Sequence, residues 1–545
     1  MNILTKRLAS LLLGLFIMHP APSYSMHYVT NFITQNKKLS IAALTVAAVG
    51  TAGYYIANQA YKNYMNTIRW DWAHIDPTHI TKDGKQIPIA EFFKQHAAAV
   101  ACKTDHPGQN QWLWGAATSA HQVEGNCTNN QWHSFENKEM DGKTIEPAGI
   151  GCDSWNHEDE DIANMKALGI NTYRFSVEWS KVIPEQGKVD LKVLNHYKQF
   201  CQKLVANGIK PIITLYHYTE PKWFYALGGF EKHENIRYFV EFCTIVFSEL
   251  HEYVHLWLTF NSPSGVAAQG WLTGTKPPAK KDMKLMAHVF FNLLSAHVQI
   301  YRELKEMDGG KEARIGILKN IMQLDPLSFF NPIQHFACKV GNDLVNESMY
   351  TFFKTGTFKV WVPGKVSFQA TDEYIQNGGK CMDFIGLNYY CHNYMTSKFK
   401  PIREPNPEIE IPTNNDKYTI YGEGLYRAIK ELSDNLAHPL NVPIYVTENG
   451  IGTDNDAHRT LHNQRYLYAL ARAIQDGYDV RGYVHWSLMD NYEWGQYGKH
   501  YGLYHINRTI LVNRTTPALT RTFKPGAQYF KDVVTGSNPA IAAKL

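Results

Sequence analysis

The sequence predicts a parallel (β/α)8 barrel, and three observations lead there. Short β-branched or aromatic runs alternate with amphipathic stretches from Trp112 almost to the end of the chain. There are eight such runs, and their C-terminal ends gather polar and aromatic side chains. Alternation of strands with helices implies a parallel sheet covered by helices, and eight repeats close into a barrel. The predicted strands are 112–119, 172–179, 210–217, 254–260, 314–320, 381–390, 443–449 and 480–487. Helix candidates lie between them at 158–168, 190–207, 235–250, 283–307, 421–435 and 457–476, with a last one at 525–534. Longer connections after the fourth, fifth and sixth strands leave room for loops around a deep pocket. The barrel is expected to occupy 107–538, preceded by an extension over 62–106.

Composition narrows the function. Charged residues make up 19% of the 545 and aromatics 13%, too apolar for disorder and rich in rings that stack on ligands. The net charge of +4 resides in the N-terminal head. Residues 1–69 carry Lys6, Arg7, Lys37, Lys38, Lys62 and Arg69 with no acid, so the remainder stands at −2. Nothing there attracts a polyanion, and a nucleic-acid partner is disfavoured. The basic head reads as targeting: Lys6-Arg7 before an apolar run suggests a signal peptide over 1–25. The uncharged run 39–61 is long enough to cross a bilayer at about 1.5 Å per residue. Lys37-Lys38 would place the large domain outside the cytoplasm, whereas cleavage of the first run would let the second reverse that orientation. The expected location is membrane-anchored or secreted. Eight cysteines show no metal-ligand spacing, so no metal is expected; Cys127 and Cys152 flank a polar loop and are candidates to pair.

The chemistry gathers around residues 444–451, Ile-Tyr-Val-Thr-Glu-Asn-Gly-Ile. A β-branched strand there delivers Glu448 to an Asn-Gly turn. Catalytic residues of (β/α)8 enzymes sit at the C-terminal ends of the strands. An isolated Glu-Asn-Gly reads better as a helix cap, but the other strand ends supply companions. They are His121 and Gln122; Arg174 and, by the period of two, Glu178 on the same face; His217 and Glu220; Asn261 and Ser262; Asn388 and Tyr390; and Trp486, Glu493 and Trp494. Amide, imidazole, carboxylate and indole together suit a polyhydroxylated ring, which needs donors and acceptors for hydroxyls and an apolar face for stacking. A sugar pocket fits best, with a glycoside as the small-molecule partner.

Residues 110–535 resemble family 1 glycoside hydrolases of the β-glucosidase type. The matching stretches are WGAATSAHQVEG, YRFSVEWSKVIP, TLYHYTEP, LTFNSP, DFIGLNYY, YVTENGI and GYVHWSLMDNYEW, in the family's order. The resemblance implies a retaining (β/α)8 enzyme that needs no cofactor. Glu448 becomes the nucleophile, held and ionised by Arg174 and Tyr390. Gln122, His217, Asn261, Asn388, Glu493 and Trp494 become binders of the sugar, and Trp486 its stacking floor.

One departure stands out. The family's fourth strand ends Thr-Phe-Asn-Glu-Pro, its Glu being the general acid/base, whereas this chain reads Thr259-Phe260-Asn261-Ser262-Pro263. A retaining glycosidase uses two carboxyls about 5–5.5 Å apart, and a serine hydroxyl is a poor proton donor at neutral pH. Acid/base assistance is worth about 10²–10⁴ in rate. Three outcomes are expected to compete: a substrate with a good leaving group, a substitute carboxyl (Glu178 or Glu220), or a membrane-tethered carbohydrate-binding protein without turnover. His121, Tyr218 and Thr219 also differ from the family's usual Tyr, Trp and Asp. Glu493 is retained, and members acting on 6-phospho-glycosides lose that acid, so the resemblance implies a neutral hexoside.

Overall fold

A computed structural model describes residues 37–101, 111–140, 142–403, 406, 409–413, 418–508 and 519–537, with side chains from residue 53 onward. The chain divides into two units between Trp70 and Asp71. The described part of the first is dominated by one helix, Lys37–Ile68. The span expected over 39–61 falls on this helix, whose C-terminal part carries Asn58, Gln59 and Lys62. Among the described residues no helix is long and apolar enough to cross a membrane. The segment 1–25 lies outside the described residues.

The second unit is built on a closed eight-stranded parallel barrel. Its strands are β1 (Leu113–Ala117), β2 (Thr172–Ser176), β3 (Lys210–Tyr216), β4 (Leu256–Asn261), β5 (Arg314–Asn320), β6 (Phe384–Asn388), β7 (Ile444–Asn449) and β8 (Val480–Trp486). Each is followed by a helix: α1 (Glu158–Leu168), α2 (Leu191–Ala206), α3 (Ile236–Leu250), α4 (Met283–Glu306), α5 (Ser348–Thr355), α6 (Gly422–Leu432), α7 (Asp456–Gln475) and α8 (Gln528–Ser537). Local chemistry sets several boundaries. Asp190, Asp282 and Asn455 each accept two backbone N–H groups at the starts of α2, α4 and α7. Gly169, left-handed at φ 75°, ends α1.

Strand β8 pairs with β1, Trp486 facing Ala117, and closes the cylinder. Leu113, Ile212, Leu256, Leu258, Leu318, Phe384, Tyr445 and Val484 fill its interior. The pairing register shifts at three places near the C-terminal ends: Leu387/Asn388 of β6, Val446/Asn449 of β7 and Leu258/Asn261 of β4. Such irregularities re-aim side chains, and here they fall beside Asn388, Glu448 and Asn261. Just beyond Glu448, a Cβ on Gly450 would lie 1.8 Å from the Trp486 carbonyl oxygen, so the turn after β7 accepts only glycine.

Two expectations are corrected. Cys127 and Cys152 do not pair: both are buried free thiols, directed at the Ala120 and Gly125 carbonyls and at the Asp490 carbonyl. Much of the extension expected over 62–106 is barrel floor. The hairpin His79–Lys82/Lys85–Pro88 leads into a helix, Ile89–Ala101, that buries Phe92, Phe93 and Val100. The Phe93 ring packs at 4.8 Å on Trp114 and 5.4 Å on Trp112, and His96 bonds to the Val480 carbonyl at the start of β8. A linker has no such apolar anchor; this segment plugs the N-terminal ends of β1 and β8.

Truncating that anchor by Phe93→Ala should therefore cost about 3–5 kcal/mol. Thermal and denaturant midpoints of the full chain measure it; an unchanged midpoint would return the segment to the role of a linker.

Candidate active site

The strand ends converge on the carboxylate of Glu448, which is 4% exposed at the end of β7. Arg174, projecting from β2 and fully buried, donates from Nη1 to Glu448 Oε1 at 2.5 Å. Three further hydrogens are committed: Nε to Thr214 Oγ1 (2.9 Å), Nη2 to Asn261 Oδ1 (3.1 Å) and Nη1 to the Thr447 carbonyl (3.3 Å). Tyr390 Oη donates to the second Glu448 oxygen at 2.6 Å. Burial, followed by the Glu448 charge, pushes the Tyr390 phenol far up, so it stays a donor. One carboxylate oxygen thus faces a cation and the other a phenol, which fixes the plane of the group.

Asn261 carries this order across the floor. Its Oδ1 also accepts from Asn388 Nδ2 (3.2 Å), and Thr447 Oγ1 donates to Asn388 Oδ1 (2.9 Å). With Oδ1 turned to Arg174, Asn261 Nδ2 donates to His217 Nε2 at 3.0 Å. This places the ring hydrogen on His217 Nδ1, a buried atom with no hydrogen-bond partner among the described residues and thus available to a ligand hydroxyl. Burial, then Arg174 and Lys276, holds His217 well below the usual histidine range and hence neutral. The His217 ring lies nearly parallel to Trp486 (5.8 Å, 20°) and Trp494 (6.0 Å, 17°). Trp486 Nε1 donates to Glu493 Oε1 at 3.0 Å. An indole, an imidazole, an amide and two carboxylates are therefore linked in one contact network.

The remaining predicted residues divide. Gln122 is buried beside the site, but Nε2 donates to Asn491 Oδ1 and the Tyr492 carbonyl, while Oε1 accepts from Ser119. Its first duty is to hold the loop carrying Glu493 and Trp494. Glu178 does not share Arg174's strand face, because β2 stops at Ser176 and the period of two ends with it. It accepts instead from Ser180, Asn130 and Thr219, and burial raises its carboxyl. His121, Cys127 and Glu178 bring possible metal-ligating atoms within 4.8 Å of one another. The Asn130 amide already bonds both His121 Nδ1 and Glu178 Oε1, so hydrogen bonds account for this cluster. Burial pushes His121 down to about 3 and Glu220 up to about 8, Glu231 adding to the latter. Glu220 is tied through its backbone to Gln131 and lines a cavity with Trp132, Tyr218, Trp271 and Lys276.

Ser262 sits in left-handed backbone (φ 54°) at the start of a short helix, and its Oγ is buried without a well-oriented partner, near the Tyr218 hydroxyl. Tyr218 (φ 67°) and Trp494 (φ 48°) share that uncommon conformation. The three meet around Tyr218, whose hydroxyl lies near Ser262 and whose ring lies 5.2 Å from Trp494, and such grouped uncommon backbone marks a candidate functional surface. Lys276 lies outside the site residues that the sequence predicts. It is a single cation before Pro277-Pro278 in a loop beyond β4, and its inward placement leaves no periodic signal.

Comparison with known proteins points to one family. The family model described as Glycosyl hydrolase family 1 matches residues 105–539. The chain is 29% identical to beta-glucosidase A of Acetivibrio thermocellus over 78% of its own length and 97% of that protein's. It is 30% identical to the 1,4-beta-D-glucan glucohydrolase of Thermotoga neapolitana, covering 73% and 97%. Among solved structures, a beta-glycosidase from Pyrococcus horikoshii superposes with TM-score 0.67 at 30% identity, covering 79% of this chain and 96% of that one. A beta-glucosidase from Thermotoga maritima in complex with deoxynojirimycin gives 0.66 at 26%, covering 78% and 98%.

Because the Arg174–Glu448 pair is buried, removing one partner strands the other. Arg174→Met should destabilise the fold by about 3–5 kcal/mol, and adding Glu448→Gln to that variant should recover part of the loss. Denaturant midpoints of the four proteins check it; additive losses would mean that the two groups do not act as a pair.

Proposed function

Because the chain belongs to family 1 of the glycosyl hydrolases, we propose that it is a retaining β-glycosidase acting through a glycosyl-enzyme on Glu448. The single observation that carries this reading is the clamped carboxylate, Arg174 on one oxygen and Tyr390 on the other. A group so held has one orientation from which to attack an anomeric carbon, and attack needs no reorganisation. Attack forms the Glu448–C1 ester and expels the aglycone; water then cleaves the ester with net retention. His217, Asn261, Glu493 and Trp494 supply hydroxyl contacts and Trp486 the stacking face, while Gln122 and Asn388 support them.

The substrate in this reading is a neutral β-hexoside. Glu493 beside Trp486 supplies an acceptor for hydroxyls and repels a phosphate on the same sugar. With Ser262 at the end of β4, no carboxyl stands there to protonate the leaving oxygen, so turnover favours aglycones that leave readily. Glu178 is a poor substitute because three side-chain donors hold it away from that task. The acid-free, basic first 69 residues support a secreted or membrane-targeted location, which fractionation of the full chain from its native host tests.

The direct test compares 2,4-dinitrophenyl β-glucoside with an alkyl β-glucoside. The expected result is faster release of dinitrophenol, reduced by at least about 10³ in Glu448→Gln, the scale of a lost nucleophile. Binding of glucose analogues with no release from either substrate would make the protein a carbohydrate-binding relative without turnover.

A further inference from the structure

Lys276 is a buried cation with no part in the hydroxyl contacts or the nucleophile clamp. It lies between β4 and α4, directly before Pro277 and Pro278. Its ammonium stands 3.7 Å from the centre of the Tyr218 ring, 4.6 Å from Trp494 and 5.9 Å from Trp132. Among the described residues no hydrogen-bond acceptor or carboxylate is paired with it. Lys319 makes a useful contrast: also lowered to about 7 by burial, it donates to Ser264 Oγ (3.1 Å) and the Asn320 carbonyl (2.7 Å). Lys319 is a satisfied structural cation. Lys276 is held by rings alone, which keeps its N–H donors uncommitted.

Its position follows from the same contacts. Tyr218 touches Lys276 through its ring and reaches the neighbourhood of Ser262 through its hydroxyl. A Cβ added to Gly265 would lie 2.7 Å from Ser262 Oγ and 2.9 Å from Tyr218 Oη. Lys276 and Ser262 therefore flank one tyrosine on one wall of the cavity. Trp494, the second ring under the ammonium, stacks with His217 on the sugar floor. The charged groups that act on Lys276 are Glu493 of the loop after β8 and Glu448 of β7, both favouring the ammonium, and Lys499 of the loop after β8, opposing it; Glu220, raised to about 8 by burial, lines the same cavity from the loop after β3. Tyr218, pushed up by burial, contributes no charge. Burial, the largest effect, brings Lys276 down to about 7, where it can both give and take a proton at neutral pH.

We propose that Lys276 is the general acid/base at the leaving-group oxygen, reaching over Tyr218 to the position that Ser262 is too short and too weakly acidic to serve. This deepens the reading of Glu448 as nucleophile and rests on it. In the first step a proton passes from the Lys276 ammonium to the glycosidic oxygen as the C1–O bond breaks and the Glu448–C1 bond forms, leaving a neutral amine. In the second, that amine takes a proton from water as the water oxygen bonds to C1 and Glu448 departs, which restores the ammonium. No metal, oxidant or further reactant enters the balance.

The sign of the pH dependence follows. The first step needs the ammonium, so kcat/KM for an alkyl β-glucoside should fall as pH rises through about 7. The experiment compares the wild type with Lys276→Met and Lys276→Arg on alkyl and 2,4-dinitrophenyl β-glucosides across pH, with and without azide. Expected in Lys276→Met are a loss of about 10²–10⁴ on the alkyl substrate, a change under about threefold in kcat/KM for the dinitrophenyl substrate, and loss of the alkaline limb. Azide should accelerate its dinitrophenol release. Arginine keeps the charge but does not give up its proton, so Lys276→Arg should resemble Lys276→Met. Wild-type alkyl activity in Lys276→Arg would overturn the proposal, as would equal losses on both substrates. So would a selective loss of binding to a 6-phospho-glucoside, which would make Lys276 an anion anchor. If Lys276→Met does not fold, the wild-type profile still decides, since an alkyl kcat/KM flat from pH 6 to 9 overturns it. Absence of dinitrophenol release by the wild type refutes the Glu448 reading and this one together, whereas release without any effect of Lys276 refutes this one alone.

Discussion

The guanidinium of Arg174 is the constraint around which the rest of the site is arranged. It sits in the barrel's interior without solvent contact and spends its hydrogens on β3, β4 and β7 at once. A buried cation is tolerable only if its surroundings answer every donor. Glu448 answers with charge, Asn261 and Thr214 with oxygens, and Asn261 is then locked in the orientation that fixes the His217 tautomer. One electrostatic requirement thus propagates through an amide to an imidazole, and the order of this network follows from it. The register shifts in β4, β6 and β7 serve the same end, because a regular ladder would alternate these side chains away from the axis.

On the leaving-group side the logic changes. There the cavity wall is aromatic: Trp132, Tyr218 and Trp494 surround one ammonium. Rings attract a cation without sharing its protons, whereas a carboxylate would neutralise it and occupy its donors. The uncommon backbone of Ser262, Tyr218 and Trp494 stores strain on this wall. In the proposed mechanism the two sides complement each other, a rigid carboxylate facing the sugar and a proton-exchanging amine facing the aglycone.

Much of this was legible in the chain itself. All eight strands fall within a few residues of their predicted positions, since β-branched runs bounded by turn residues leave little choice. The C-terminal strand ends named Arg174, His217, Asn261, Asn388, Tyr390, Glu448 and Trp486, and the structure joins them in one network. Legibility failed where periodicity ends. Glu178 was assigned to the Arg174 face by a rule that stops with β2 at Ser176. Phe93, read within an extension, is buried against Trp112 and Trp114, about twenty residues distant in sequence. Gln122 carries the residue type of a ligand contact, but its donors are spent on the loop that follows β8. Lys276 has neither motif nor period; only the fold brings it over Tyr218 and Trp494.

The most direct test of the central claim is covalent trapping. A 2-deoxy-2-fluoro-β-glucoside with a dinitrophenyl leaving group forms the glycosyl-enzyme readily and releases it slowly, because the fluorine destabilises the cationic transition state of both steps while the activated leaving group rescues the first. Intact-mass and peptide analysis of the full chain should show one fluoroglucosyl group, carried by Glu448 and absent in Glu448→Gln. An adduct on another residue, or none while glucose analogues still bind, would contradict the account.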